Sequence, residues 1–442
     1  MMKYTKEELL IIMLKDKKTK ITFHSGVLTI GGTIIEVAYE DSHIFFDFGS
    51  EFNPAAKVHP TNLQGLLDEN LVPFLNNVFD PKIPLKGYAS TVDNFKDTAV
   101  FLSHIHLDHS KIVNYLNPNI PLYTLEGTKS LLNTLNINND FIFPLYEKQD
   151  FNTREIIGVK ENQVIKVGKI SVKVMPVDHD AYGACGLVIE TPDLTIAYTG
   201  DIRLHGYRQN DTLNFCKESK NCDVLLIEGV SVSFQDFGDP IRETEAINER
   251  ELIEKINEII NNNSSKQITF NYYIANVERI LNIIKTNPRI VVLDAYSSYV
   301  VKEAAGVETY YYQLDDKEYG LDESLKIDFE ELLNDESKYF WQLDTLALKH
   351  IDKLKSNGIY IHADASPLGA FDPTYEPFVK QFGDYNIEFM SLPCSGHARP
   401  YDLIKIINLI SPKLLVPIHS YRPEKLYNDN GDVLLPKKGQ TI

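Results

Sequence analysis

At 442 residues the chain exceeds one ordinary domain, and two domains are the expectation. Its formal net charge of −18 argues against a protein that covers long stretches of nucleic-acid phosphate with a basic face. Cys185, Cys216, Cys222 and Cys394 form no Cys-x-x-Cys pair, so neither a zinc ribbon nor a disulfide framework is indicated. Buried thiols in a reducing cytoplasm fit better.

Near the start, Thr5-Lys6-Glu7-Glu8 reads as a helix capping box. The apolar run Leu9–Leu14 behind it is too short to span a membrane, no secretory signature precedes it, and no longer apolar stretch follows. A soluble, cytoplasmic chain without a membrane partner is therefore expected.

The apolar run Ala99-Val100-Phe101-Leu102 leads into Ser103-His104-Ile105-His106-Leu107-Asp108-His109-Ser110. A strand feeding a turn dense in imidazole and carboxylate presents several metal ligands at a sheet rim, and these donors suit Zn²⁺ or a similar divalent ion. The spacing lets His104 and His106 share one metal while Asp108 and His109 face a second. Further candidates follow strands in the same way. The alternating strand Ile170–Val177 precedes Asp178-His179-Asp180, the strand Leu194–Thr199 precedes Gly200-Asp201, and Leu414–Ile418 ends in His419. One sheet edge could gather them all.

The middle of the chain has another character. Gln267–Tyr273 reads as a strand. Asn276 then caps a helix carrying Val277, Ile280, Leu281 and Ile284 on one face. Arg289–Asp294 and Gly358–Ala363 read as further strands, which suggests a small parallel sheet. Asn261–Ser265 reads as a polar turn. Tyr310-Tyr311-Tyr312 and Tyr339-Phe340-Trp341 read as core packing of a helical lid, with base stacking as the other use.

These residues resemble the metallo-β-lactamase fold, through His104-x-His106-x-Asp108-His109, the later strand-His, Thr199-Gly200-Asp201 and the terminal strand-His. Asp47, ending the strand Ile44–Gly49, is similar to that fold's bracing carboxylate. Glu228 after Val224–Ile227, Ser395-Gly396-His397-Ala398, and His419 resemble the motifs of the β-CASP branch, which includes ribonuclease J and the endonuclease of mRNA 3′-end cleavage. The resemblance implies an α/β fold, a metallo-β-lactamase αββα sandwich with an inserted β-CASP domain. The catalytic domain would occupy residues 1–232 and 392–442, and a small parallel α/β insert, residues 233–391, would roof the metal cleft. It also implies a ligand set. His104, His106 and His179 would hold one metal, Asp108, His109 and His419 the other, and Asp201 would bridge them. Two cations ~3.5–4 Å apart need such a shared anion to offset their repulsion. Asp47 would orient a ligating imidazole.

The same resemblance implies a dinuclear zinc phosphodiesterase (two Zn per chain, with Mn as the other metal), a ribonuclease of RNA processing or decay. Its partner would be single-stranded or short RNA, and a homo-oligomer is allowed. Metal-hydroxide attack on phosphorus would be assisted by His397 protonating the leaving oxygen, with Glu228 orienting it and Asp108 completing the catalytic set. Small-residue turns at Ser395 and Ser366 could offer hydroxyls and N–H groups to a phosphate. Pro393 stands where ribonuclease J carries a His, and the chain stops soon after His419. Both features point to a minimal relative whose exonuclease action need not match that enzyme's. The alternatives are a hydrolase of a small ester, thioester or lactam, which the acidity favours, and a non-catalytic subunit, which the complete ligand set disfavours.

Overall fold

The computed structural model describes residues 16–51, 57–89, 97–240 and 245–442; the capping box at Thr5–Glu8 and the run Leu9–Leu14 lie outside them. The chain divides into two compact units. One comprises Met1–Leu204, Arg208–Asp239 and Gly396–Ile442, and the other His205–Tyr207 and Pro240–Ser395.

The first unit is built on a six-stranded and a seven-stranded sheet. One runs β1 (Thr19–Ser25), β2 (Ile34–Tyr39), β3 (Ser42–Phe46), β4 (Asp97–Phe101), β5 (Leu122–Leu125) and β6 (Ile157–Val159) in sequential order. The other contains β7 (Gln163–Val167), β8 (Ile170–Pro176), β9 (Cys185–Glu190), β10 (Thr195–Tyr198) and β11 (Val224–Glu228), then β18 (Leu414–Ile418) and β19 (Asp432–Val433). Alternating residues of both sheets, among them Phe23, Val37, Phe46, Val172, Leu187 and Tyr198, form one apolar cluster. The sheets therefore pack face to face. On the far face of the second sheet, helices Gln209–Glu218 and Pro400–Ile410 bury Phe215, Leu403 and Ile407 against Leu225 and Leu415. Helix Glu126–Leu135 covers β5 and β6. This is the αββα sandwich.

β11 lies parallel between β10 and β18 and is buried along its whole length. Both of its faces are covered, which is why Val224-Leu225-Leu226-Ile227 is a continuous apolar run rather than an alternating one. Four segments named above as ligand or acid bearers lie directly past the ends of β4, β8, β10 and β18, and Glu228 closes β11.

The second unit holds a six-stranded, all-parallel sheet. Its strands are β12 (Ile268–Tyr272), β13 (Ile290–Asp294), β14 (Tyr310–Tyr312), β15 (Tyr339–Gln342), β16 (Ile359–Ala363) and β17 (Glu388–Ser391), in the order β14-β13-β15-β12-β16-β17. Asn276 caps helix Val277–Thr286 by accepting from Arg279 N at 3.1 Å. Two readings are corrected here. The aromatic triplets are strands, not a helical lid, and Tyr311, Tyr312, Tyr339, Phe340 and Trp341 are buried in the sheet's core. The polar tract at 261–265 begins inside a helix, which runs from Glu249 to Asn262. Among the described residues no helix is long and apolar enough to cross a membrane, and all four cysteines are free and buried.

Candidate metal centre

Past β4 the chain makes a short turn and a four-residue helix, Leu107–Ser110, with His106 at its N-cap. This curl turns successive histidines inward, so that His104 and His109 are buried while His106 and Asp108 keep a partly open edge. The turn is held tightly from below. A Cβ on Gly49 would stand 1.7 Å from the Asp108 carbonyl oxygen, so only glycine allows this approach.

Two groups of donors form at the rim. His104, His106, His179 and Asp201 make one, and Asp108, His109 and His419 make the other; within each, the donor atoms lie within 4.8 Å of one another. Asp201 reaches both. Its Oδ2 lies 3.5 Å from His104 Nε2, 3.8 Å from His179 Nε2 and 3.3 Å from His109 Nε2, and its Oδ1 accepts from His419 Nδ1 at 2.9 Å. All seven residues that the sequence singled out as ligands are gathered here.

The far nitrogens are held by the protein. Asp47, fully buried, accepts from Ser103 N at 2.7 Å and Ser103 Oγ at 2.9 Å, pairs with His109 Nδ1 at 2.9 Å, and accepts from the Tyr198 hydroxyl. His179 Nδ1 donates to the Gly396 carbonyl at 2.6 Å. Asp47 and His419 both take left-handed backbone at φ 59° and 51°, a conformation that costs free energy in non-glycine residues and recurs at functional sites.

The near atoms test whether a metal fits. The Nε2 atoms of His104, His109 and His419 and Oδ2 of Asp201 are buried and make no hydrogen bond among the described residues. Buried polar atoms ordinarily find partners, and this mixture of imidazole and carboxylate is a divalent-metal donor set. The residues fit. Electrostatics agree for His104 and His179. Burial drives His104 well below the usual imidazole range and His179 down to about 3, leaving neutral rings of the kind a metal takes. Burial also opposes charge on His109 and His419. Asp201 and Asp108 nonetheless hold His109 well above its usual range and raise His419 to about 10, while those cationic rings hold Asp201 low.

Glu228, buried at the end of β11, accepts from Val230 N at 2.8 Å through Oε2 and places Oε1 3.3 Å from His397 Nδ1. The His397 ring keeps 24% of its side-chain surface open and lies 3.8 Å from Asp201 Oδ2. Against the cost of burial, Glu228 and Asp201 raise it to about 9. Ser366, exposed after β16, and Ser395, whose carbonyl accepts from His205 Nε2 at 2.8 Å, belong to the second unit and to neither donor group. Sequence reading passed over Tyr198 and Asp180. Asp180 was visible in Asp178-His179-Asp180 but gained no role there; its Oδ1 lies 3.3 Å from His179 Nε2.

The chain is similar to several known proteins. The model of the beta-lactamase superfamily domain matches residues 84–241. Ribonuclease J of Mycoplasma pneumoniae is 21% identical over 429 residues, which are 91% of this chain and 68% of that protein. A protein of Methanocaldococcus jannaschii described as a probable RNase is 25% identical over 252 residues, 54% of this chain and 51% of that one. Residues 84–241 thus match the beta-lactamase superfamily domain, and the chain as a whole is similar to ribonuclease J. Members of the superfamily bind divalent metal, and this chain is a hydrolase of that kind. A crystal structure from Enterococcus faecalis, of a protein of unknown function, superposes with a TM-score of 0.91 at 46% identity, covering 96% of this chain and 99% of that one. The fold is thus shared along nearly the whole chain.

Proposed function

We propose that the protein is a dinuclear, zinc-dependent phosphodiesterase that cuts single-stranded RNA. The observation that carries this reading is the pair of donor groups joined at Asp201, with the His397–Glu228 pair beside them. His104, His106 and His179 would hold one ion, Asp108, His109 and His419 the second, with Asp201 between. Such a pair supplies Lewis acidity and activates water near neutral pH. The relatives named ribonucleases support RNA as the substrate class.

The chain's own residues do the rest. Asp47 fixes the His109 ring through Nδ1, and the Gly396 carbonyl fixes His179, so both rings present Nε2. Glu228 is locked by Val230 N and sets the direction of the His397 ring. His397, partly open at the edge of the donor cluster, delivers a proton to the departing oxygen. With a net charge of −18, few phosphate contacts hold the strand, so affinity should fall only shallowly with salt.

The test is incubation of metal-loaded protein with end-labelled RNA and DNA of matched sequence, single- and double-stranded, alongside thioester and lactone substrates. Single-stranded RNA should be cut. His397→Ala should keep its metal and lose roughly 10²–10⁴-fold in turnover, and lose less on a nitrophenyl phosphodiester whose leaving oxygen scarcely needs a proton. Turnover of a thioester or lactone with every nucleic acid left intact would overturn the ribonuclease reading.

A further inference from the structure

Asp180 belongs to none of the motifs that define the ligand set, yet its carboxylate lies against two members of that set. Its Oδ1 is buried and makes no hydrogen bond among the described residues. It stands 3.3 Å from His179 Nε2 and 3.5 Å from His106 Nε2. Because His179 Nδ1 is occupied by the Gly396 carbonyl, Nε2 is the nitrogen left for a metal, and Oδ1 sits beside that face of the ring. The His179 Nε2 to His106 Nδ1 separation is 3.2 Å; Asp180 Oδ1 keeps that spacing toward His179 Nε2 at 3.3 Å, while its 3.5 Å contact with His106 is to the ring's other nitrogen.

The returning chain makes room for this carboxylate. A Cβ on Gly396 would lie 2.5 Å from Cγ and from both carboxylate oxygens of Asp180. Any larger residue in Ser395-Gly396-His397 would displace Asp180 or the backbone carbonyl that holds His179. The glycine therefore serves two donors of the same group.

We propose that Asp180 is a further carboxylate ligand, through Oδ1, of the metal held by His104, His106 and His179. The inference rests on the dinuclear reading above. It makes the two halves of the centre unequal. With Asp201 shared, the first group would then offer five donors and the second four. It also brings a third carboxylate, with Asp201 and Asp108, against the charge of two dications.

The experiment uses the full chain as wild type, Asp180→Ala and the near-isosteric Asp180→Asn, stripped with chelator and reloaded with Co²⁺. Affinity is read by competition titration, and the donor set by the visible absorption of the bound Co²⁺. Wild type should take two ions. In both variants one ion should bind more weakly, by roughly 10–100-fold or more, the other should be unaffected, and Asp180→Ala should change the intensity of the visible bands as an oxygen donor is lost. Unchanged bands in folded Asp180→Ala, even with weaker binding, would mean that Asp180 only steers His106 and would overturn the proposal. Unchanged affinity in Asp180→Asn would overturn it equally. Failure of the wild type to take two ions would sink the dinuclear reading instead.

Discussion

Each unit buries a cluster of charged side chains, and the two clusters are satisfied in opposite ways. In the second unit Arg279 is fully buried, and its five N–H donors meet five acceptors. Nε and Nη2 donate to Glu249 at 2.9 Å, Nη1 to Asp364 at 2.9 Å and the Ala363 carbonyl at 2.8 Å, and Nη2 to the Cys394 carbonyl at 3.1 Å. Nothing is left over, and the bonds tie helices Glu249–Asn262 and Val277–Thr286 to the loops after β16 and β17. In the first unit the His/Asp cluster is equally buried, but among the described residues Nε2 of His104, His109 and His419 and Oδ2 of Asp201 make no hydrogen bond. A closed network is structural cement, whereas buried donors gathered in two adjoining groups without protein partners are arranged for something that is not protein.

That contrast can be broken from either side. The largest effect is expected in the second unit. Arg279→Ala leaves Glu249 buried without its cationic partner, and should cost roughly 3–5 kcal/mol of stability without changing the number of metal ions per folded chain. Denaturant unfolding with metal analysis of the folded fraction checks both. Loss of metal in a folded Arg279→Ala protein would show that the two clusters are not independent. A smaller effect is expected from Asp47→Asn, which keeps the shape but replaces one acceptor oxygen by a donor facing Tyr198, Ser103 or His109. Metal affinity should fall roughly 10–100-fold, read by competition with a chromophoric chelator. An unchanged affinity would reduce Asp47 to a packing residue.

How much of this was legible in the sequence depended on how local each signal was. His104, His106, Asp108 and His109 declare themselves because three imidazoles and a carboxylate fall within six positions after an apolar strand. His179, Asp201 and His419 are single residues, readable because each comes just after a strand and a sheet edge collects them. Asp47, Glu228 and His397 came through family resemblance alone. Asp180 escaped because its meaning lies in a contact with His106 and in the missing side chain of Gly396, both remote in sequence. Tyr310–Tyr312 and Tyr339–Trp341 were read as lid because strands this short and this largely buried show no alternation. In helix Val277–Thr286 the apolar spacing was visible, but Arg279 is buried beside Val277, Ile280 and Ile283 while Leu281 and Ile284 are only partly so. A buried arginine is explained by Glu249 and Asp364, which no local pattern reveals.

The central claim is that the buried imidazole and carboxylate donors past the ends of β4, β8, β10 and β18 are metal ligands sharing Asp201. It is tested most directly by metal analysis of carefully prepared wild-type protein beside Asp201→Ala. The account predicts close to two zinc or manganese ions per wild-type chain and loss of the pair in Asp201→Ala, whose cations would lack their shared anion. One ion or none in the wild type, or an intact pair in Asp201→Ala, would contradict it.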